Sequence, residues 1–343
     1  MDLKSFIHAL PKAELHLHLE GAVAAGTVID LANKHGITLP DFGADSDIFN
    51  FADLGAFLKV YDIICRSIRT PDDFRRVTYE ALARCARSNV RYVELFFSPG
   101  AHSECGISYS HMLDGILSGM TDAERSLKIT SKLIPAINRE LGPEEAEKFL
   151  NMVLSDRRPE VIGIGLDYLE DGFPPGPYKD VYARARAAGL KLTAHAGESG
   201  PAENIRNSID LLDCARIDHG YNIVDDPALI ADCAKSGIGF TCCPSTTAYT
   251  TVFRNLESPD HPIPRMVAAG LTVTLNTDDP GLFRTELDNE FLIVAEKMKV
   301  PPATLAELAL NSVRISWMDE DAKAAVLADW QAQITPLLAQ VVP

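Results

Sequence analysis

Two histidines two residues apart, His16 and His18, lie in the stretch Ala13-Glu14-Leu15-His16-Leu17-His18-Leu19-Glu20-Gly21. Polar and apolar residues alternate there with period two, the pattern of a half-buried β-strand. On such a strand Leu15, Leu17 and Leu19 share one face, while Glu14, His16, His18 and Glu20 share the other. Two imidazoles on one face reach a common metal ion, and imidazole is the commonest metal ligand. A polar strand face also acquires such a pair by chance, so its meaning rests on what the rest of the chain brings to it.

Further residues of the same chemical kind close other strand-like segments. His195 and Glu198 end Thr193-Ala-His-Ala-Gly-Glu198, Asp218 and His219 end the segment from Arg216, and Asn276, Asp278 and Asp279 precede Pro280. His16, His18, His195 and Asp278 make three nitrogens and one oxygen, a set that suits one Zn2+ per chain with a water completing the shell. Ligand type alone admits iron or manganese as well. Water on such an ion ionises near pH ~7 rather than ~15.7. His219 and Glu198 remain for proton work: His219 to hold or deprotonate the water, and Glu198 to donate a proton if its pKa is raised.

Bringing these groups together demands a particular order of elements. Strands are expected at 13–21, 91–99, 128–137, 161–168, 190–197, 216–220, 238–243 and 271–277, with helices at 109–126, 143–155, 177–188, 204–214, 227–236 and 263–269. Between the first two strands, about 22–89 reads as a helical insertion: Thr27–Gly36, Phe51–Ile68, and Asp72–Arg87 with Pro71 at its start. This insertion is expected to form a lid or wall over the mouth of a site. Eight strand–helix units predict a (β/α)8 TIM barrel, one domain over 1–343, with extra C-terminal helices. Barrel sites lie at the C-terminal ends of the strands, where all the reactive residues fall. The alternative, a doubly wound open sheet, lacks the Gly-rich fingerprint it would carry after a strand.

Composition sets the class of partner. Of 343 residues, 46% are hydrophobic and 23% charged, a globular profile, and the net charge of -16 repels phosphate. Nucleic acid and anionic membranes are therefore not expected partners; a small neutral molecule is. The seven cysteines show no zinc-finger spacing, Met1–Leu10 is too short and polar for a signal peptide, and no run reaches transmembrane length. A reducing cytoplasm is the expected compartment, with Cys242 and Cys243 as buried small side chains. His35, His102, His111 and His261 show no partner pattern and are expected on the surface or in packing, with His102 close to the rim.

The chain resembles the adenosine deaminase family, including its adenine-deaminase branch, among amidohydrolase-type barrels. The resemblance runs from Pro11-Lys-Ala-Glu-Leu-His-Leu-His-Leu-Glu-Gly21 to Asn311, through Ala194-His-Ala-Gly-Glu198, Arg216-Ile-Asp-His-Gly220, Cys243-Pro244 and Thr277-Asp-Asp-Pro280. It implies that His16, His18, His195 and Asp278 bind zinc and that Glu198 protonates purine N1. By the same resemblance His219 activates the water that attacks C6, Asp279 holds N7, and Glu20 lies on the sugar side. Adenosine or adenine would leave as inosine or hypoxanthine plus ammonia.

Departures from the family pattern concern the substrate. Adenosine enzymes carry Asp-Leu-Ala-Gly after the fourth strand, whereas Gly165-Leu-Asp-Tyr-Leu-Glu170 puts Tyr168 at the glycine position. Gly-Leu-Asp followed by Glu, Asp218 before His219, and Thr241 before the cysteines resemble the adenine branch. Ser98-Pro99 resembles the adenosine enzymes instead. Tyr168 either packs locally or fills the space of a ribose. Free base is slightly favoured over nucleoside, and an N6-substituted aminopurine is a further alternative. Two other classes fit less well. A two-metal hydrolase of this barrel class would want a lysine at the end of the fourth strand, and a non-catalytic purine-binding protein would not need every ligand and both proton carriers. The zinc deaminases with Pro-Cys-x-x-Cys are a separate solution, and Cys243-Pro244 has the reverse order.

Overall fold

All eight expected strands form, and each pairs in parallel with the next. The computed structural model describes residues 1–39, 54–103 and 105–341. The strands are β1 (Lys12–His18), β2 (Val90–Phe97), β3 (Thr130–Asn138), β4 (Gly163–Asp167), β5 (Lys191–Ala196), β6 (Arg216–His219), β7 (Gly239–Cys242) and β8 (Thr272–Leu275). They lie side by side in sequence order, with helices between them, as a (β/α)8 barrel requires.

The last seam, between β8 and β1, is short. Its backbone part is the bridge of Leu17 with Asp278. There the His18 N–H donates to the Asp278 carbonyl at 2.8 Å, and the Asp278 N–H donates to the His16 carbonyl at 3.1 Å. Below that point side chains replace the missing ladder. Asn276 Oδ1 accepts from the Leu15 N–H at 2.8 Å, and Ser312 Oγ accepts from the Ala13 N–H at 3.0 Å. Glu14 Oε1 accepts from the Thr277 N–H at 2.9 Å. The C-terminal helix at Pro302–Arg314 packs across both β8 and β1 and covers the seam.

β1 departs from strict alternation. Three steps from Glu14 to Leu17 face two steps from Val93 to Leu95 on β2, so β1 carries one extra residue. A bulge of this kind reverses the face of everything beyond it. Glu14 therefore shares the helix-facing side with Leu17 and meets Cys85 Sγ at 3.3 Å, whereas His16 and His18 turn inward onto Phe96. The expectation that Glu14, His16, His18 and Glu20 share one face is corrected accordingly; Glu20 lies past the strand end.

Inside the barrel, Phe96, Ile134 and Ala136 pack together with Trp317. Trp317 comes from the C-terminal extension, whose helices span Leu287–Glu296, Pro302–Arg314 and Glu320–Leu338. Its ring lies 4.1 Å from the Arg216 guanidinium, and Arg216 pairs with Glu94. A Cβ on Gly163 would sit 2.4 Å from the Trp317 ring and 2.7 Å from the Lys191 carbonyl, so β4 starts with glycine to admit the tryptophan. Arg216 also donates to the Leu15 carbonyl at 3.1 Å, tying β6 to the seam strand.

Most helices keep the expected limits, as at Pro143–Ser155 and Pro227–Ser236. Between β1 and β2 lie helices at Ala25–Lys34, Leu54–Ser67 and Pro71–Arg87. The last opens on a capping box of Thr70 and Asp73 with Pro71 in its first turn. The expected start at Phe51 falls outside the described residues. Three helices among the described residues, Leu3–Ala9, Pro99–Ser103 and Pro244–Thr250, escaped the sequence reading; Asp2 caps the first by accepting from the Ser5 N–H at 2.8 Å. No helix among the described residues is long and apolar enough to cross a membrane, and all seven cysteines are free thiols.

Replacing Asn276 by Ala leaves the buried Leu15 N–H without its acceptor at the weakest seam of the barrel. We expect a loss of about 1–3 kcal/mol, the cost of an unpaired buried donor, read as a lower urea midpoint at unchanged m-value.

Candidate active site

The bulge in β1 and the closing bridge to β8 bring four candidate ligand atoms to one point at the C-terminal rim. His16 Nε2 lies 3.3 Å from His18 Nε2 and 3.1 Å from His195 Nε2, and His18 Nε2 lies 3.2 Å from His195 Nε2. Asp278 Oδ1 stands 3.1 Å from His16 Nε2 and 3.4 Å from His18 Nε2. Four atoms arranged tetrahedrally about one ion at ~2.0–2.1 Å lie ~3.3 Å apart. Three imidazole nitrogens at this spacing cannot all satisfy one another, because each neutral ring has one donor and one acceptor in fixed places. A shared cation satisfies all three, so the residues fit a metal ion.

The far side of the rings fixes which nitrogen is free for that ion. Thr241 Oγ1 donates to Asp218 Oδ1 at 2.9 Å and lies 3.0 Å from His16 Nδ1, so it accepts the Nδ1 proton. In the neutral ring the lone pair of His16 is thereby left on Nε2. Burial works against a charge there, but Asp278 outweighs it and raises the His16 pKa, so a proton and a metal ion compete for that nitrogen. Thr193 Oγ1 donates to the other oxygen of Asp218 at 2.8 Å, and His195 Nδ1 faces that oxygen at 3.6 Å. Asp218 is a carboxylate beneath two of the four candidate ligands. The sequence placed it at the rim but gave it no task.

Burial drives His195 well below the ordinary histidine pKa and His18 down to about 4, so both rings stay neutral. Neutral imidazole is the metal-binding form. Burial alone would raise Asp278, yet the charge of His16 and its bond to the carboxylate outweigh this and hold Asp278 ionised. Thr246 Oγ1 donates to its second oxygen at 2.9 Å.

His219 also crowds this point, a ring nitrogen lying within 4.8 Å of ligand atoms of His16, His195 and Asp278. Its Nε2 is 4.0 Å from Asp278 Oδ2 and 3.6 Å from Glu198 Oε2. Tyr221 Oη, which donates to the Cys243 carbonyl, lies 3.2 Å from His219 Nδ1. It therefore accepts the Nδ1 proton and leaves a basic Nε2 facing the cluster. Burial, then the charge of His16, lowers the His219 pKa to about 4. Glu198 moves the opposite way: burial and the charge of Asp278 push its carboxyl up to about 7. A neutral base and a protonated acid thus face each other across the rim.

Asp279, next in the chain, has one oxygen with no hydrogen-bond partner among the described residues. Burial and the neighbouring Asp278 push its pKa well above the carboxylate range, which keeps it protonated. Its carboxyl lies against Gly21, where any Cβ would overlap Asp279 Oδ1 at 1.6 Å. The cavity over the cluster is lined by Tyr61, Asp167, Tyr168, Thr250, Asp279 and Phe283, among others. Asp167, pushed up to about 8 by burial, has an unpartnered oxygen of its own and was absent from the expected site.

Glu20 and Ser98 do not reach the cavity wall. Glu20 is fully buried and accepts from the Ser98 N–H at 3.0 Å, from His102 Nε2 at 2.8 Å and from Tyr61 Oη at 3.1 Å. Tyr61 Oη also lies 3.1 Å from Ser98 Oγ, so its ring stands between the cavity and both residues. Tyr168 holds the left-handed conformation (φ +66°) and meets Tyr61 edge-on at 6.0 Å. His102, expected on the surface or in packing near the rim, is a buried packing partner of Glu20. Tyr61 carried no signal in the sequence beyond its helical spacing.

The fold and this rim cluster place the chain among the amidohydrolase-type barrels, hydrolases that work with a metal ion. Comparison with known proteins narrows the class. Residues 11–332 match the family model described as adenosine deaminase, and the chain belongs to that family. An adenine deaminase of Vibrio parahaemolyticus is 37% identical over 325 residues, 94% of this chain and 95% of that one. An aminodeoxyfutalosine deaminase of Streptomyces avermitilis is 38% identical over 332 residues, 96% of this chain and 92% of that one. Among solved structures, an amidohydrolase of Burkholderia ambifaria with bound zinc superposes with a TM-score of 0.92 at 38% identity, covering 98% of this chain and 93% of its own. The chain is a hydrolytic deaminase.

Removing one ligand tests the cluster. Asp278→Ala is expected to lower bound metal to well under one ion per chain, measured by elemental analysis after dialysis; a full metal complement in that variant would unseat Asp278.

Proposed function

We propose that the protein catalyses the zinc-dependent deamination of a 6-aminopurine, adenine first among them, to the 6-oxopurine and ammonia. The observation that carries the chemistry is the Glu198 carboxyl 3.6 Å from His219 Nε2 beside the His/Asp cluster, with burial pushing the acid up to about 7 and the imidazole down to about 4. Zinc bound by His16, His18, His195 and Asp278 supplies the acidity that ionises water near neutral pH. Its three-nitrogen, one-oxygen ligand set and the zinc in the Burkholderia ambifaria neighbour favour that metal over iron or manganese.

The protein's own groups divide the proton transfers. Asp279, kept protonated, donates to N7 and holds the ring. Glu198 protonates N1, which makes C6 electrophilic, while His219 Nε2 takes a proton from the water that adds to C6. The proton on His219 then passes to the amino group, which leaves as ammonia. The new hydroxyl at C6 gives its proton back to Glu198 as the carbonyl forms, so both residues return to their starting states.

The closed sugar side supports a free base. Glu20 has its oxygens committed to three protein groups, and Tyr61 and Tyr168 occupy the approach to it. One feature favours a second reading, an aminopurine with a large substituent. Phe283 stacks between Phe57 at 5.4 Å and Tyr249 at 5.2 Å beside the cavity, a flat apolar platform larger than adenine needs. The Streptomyces avermitilis relative, named for aminodeoxyfutalosine, belongs with this reading.

Glu198→Gln is expected to keep its metal and lose about 10²–10⁴-fold in kcat, the usual worth of a general acid; near-normal turnover would remove Glu198 from the mechanism. In the parent protein the donor form of Glu198 is lost as pH rises and the base form of His219 is lost below about pH 4, so kcat should be level between these limits and fall through about pH 7. Parallel ultraviolet assays on adenine and adenosine test the substrate. Tyr168→Gly, which suits a left-handed position and clears the ring, should raise the adenosine-to-adenine ratio of kcat/KM by about tenfold, roughly 1.4 kcal/mol. An unchanged ratio would mean that Tyr168 does not exclude the sugar.

A further inference from the structure

Glu198 sits in the four-residue turn Gly197-Glu198-Ser199-Gly200, between β5 and the helix at Ala202–Asp210. All four backbone N–H groups of that turn donate to one side chain, the carboxylate of Glu170. Gly197 N lies 2.7 Å from Oε1, while Glu198, Ser199 and Gly200 N lie 3.0, 3.1 and 2.8 Å from Oε2. Asn204 Nδ2 adds a fifth bond at 2.9 Å. The carbonyls of the turn point the opposite way, and Asn222 takes them. Its backbone N–H donates to the Gly197 carbonyl at 2.8 Å, and its side-chain amide donates to the Gly200 carbonyl at 2.8 Å.

Successive amides turned to one side form a concave nest for an anion. Here the anion is a buried residue of the chain itself, supplied by the loop after β4. The glycines at both ends are what permit so close a wrap. A Cβ on Gly200 would stand 2.6 Å from Glu170 Cδ, and Gly197 has φ +71° with Ile205 Cδ1 2.4 Å from any Cβ. Five donors saturate the Glu170 oxygens, so its contribution to the site runs through the turn and not through a bound molecule.

We propose that Glu170 is the positioning residue for the proton donor. It sets the Gly197–Gly200 turn so that the Glu198 carboxyl stands 3.6 Å from His219 Nε2 and accepts from Thr250 Oγ1 at 2.5 Å. Two residues after Tyr168, it also couples the β4 loop lining the cavity to the group that protonates the ring. This inference rests on the reading of Glu198 as the proton donor.

Glu170→Gln keeps the shape but turns an NH2 group toward amides that need an acceptor. A shift of about 1 Å in a reacting group costs about 10²-fold in rate. On adenine, kcat is therefore expected to fall by about that factor, with KM within about twofold of the parent and metal still one per chain. Amide exchange at Gly197–Gly200 should speed up by at least tenfold, read by mass spectrometry. Unchanged kcat overturns the proposal, and so does a loss of kcat, metal and thermal stability in proportion, which marks a general structural role. Glu198→Gln is measured alongside. Full turnover there brings down the donor reading itself, while an inactive Glu198→Gln beside an unimpaired Glu170→Gln overturns only the role of Glu170. Should Glu170→Gln fail to fold, Asn222→Ala loosens the turn from its carbonyl side. A severalfold drop in kcat at constant KM is then expected, and parental kcat overturns the proposal.

Discussion

The bridge that closes the barrel also builds the buried His/Asp cluster. β8 meets β1 through two backbone hydrogen bonds, and the residues that make them are His16, His18 and Asp278. Barrel closure and ligand geometry are therefore one constraint. Loosening the seam moves Asp278 away from His16 and His18, and a cation drawn to all three pulls the seam shut. The neighbouring stitches from Asn276, Ser312 and Glu14 lie within a few residues of this point. A strand as short as β8 would otherwise leave backbone groups of β1 unpaired in the interior, which costs more than the hydrogen bonds themselves contribute.

Electrostatics at the rim follow from crowding acids and imidazoles where water is excluded. Burial disfavours every charge, so the groups settle into alternating states. Asp278 keeps its charge because His16 stands beside it, and that charge helps keep Glu198 and Asp279 protonated. The result is an ionised Asp278 beside His16, protonated carboxyls at Glu198, Asp279 and Asp167, and neutral rings at His18, His195 and His219. Proton donors and acceptors for an aminopurine thus arise from position alone, using residue types that are unremarkable in water. Deeper in the barrel Asp218 pairs its oxygens with Thr193 and Thr241 under the ligand rings, and Arg216 bonds Glu94.

Three residues of the site hold the left-handed backbone conformation: Tyr168, His219 and Asp278, with φ of +66°, +67° and +62°. They stand at or just past the ends of β4, β6 and β8. Each costs about 1–2 kcal/mol relative to an ordinary conformation, and each turns its side chain out of strand parity toward the cavity. Simple alternation along β8 would put Asp278 on the face of Asn276 and Thr274. Instead the chain leaves the strand at Leu275, and the left-handed turn aims the carboxylate at the imidazoles. Strain concentrated at a catalytic rim and supported by a rigid barrel is a common division of labour.

By itself the sequence determined the fold class and the inventory of the site. Alternating hydrophobicity and the order of eight strand–helix units specify the barrel, and barrel topology sends His16, His18, His195, Glu198, His219, Asp278 and Asp279 to one rim. These are properties of local pattern and connectivity. Everything that depends on where side chains from distant segments meet was decided by tertiary structure. The bulge that turns Glu14 away from His16 needs β2 as its reference. The burial of Glu20 behind Tyr61 joins residues 41 apart in the chain, and the grip of Glu170 on the Glu198 turn spans two strands. The protonation states of Glu198, His219 and Asp279 come from burial and neighbours that no spacing rule encodes. Residue types name the available chemistry; only packing sets distance, and distance sets charge.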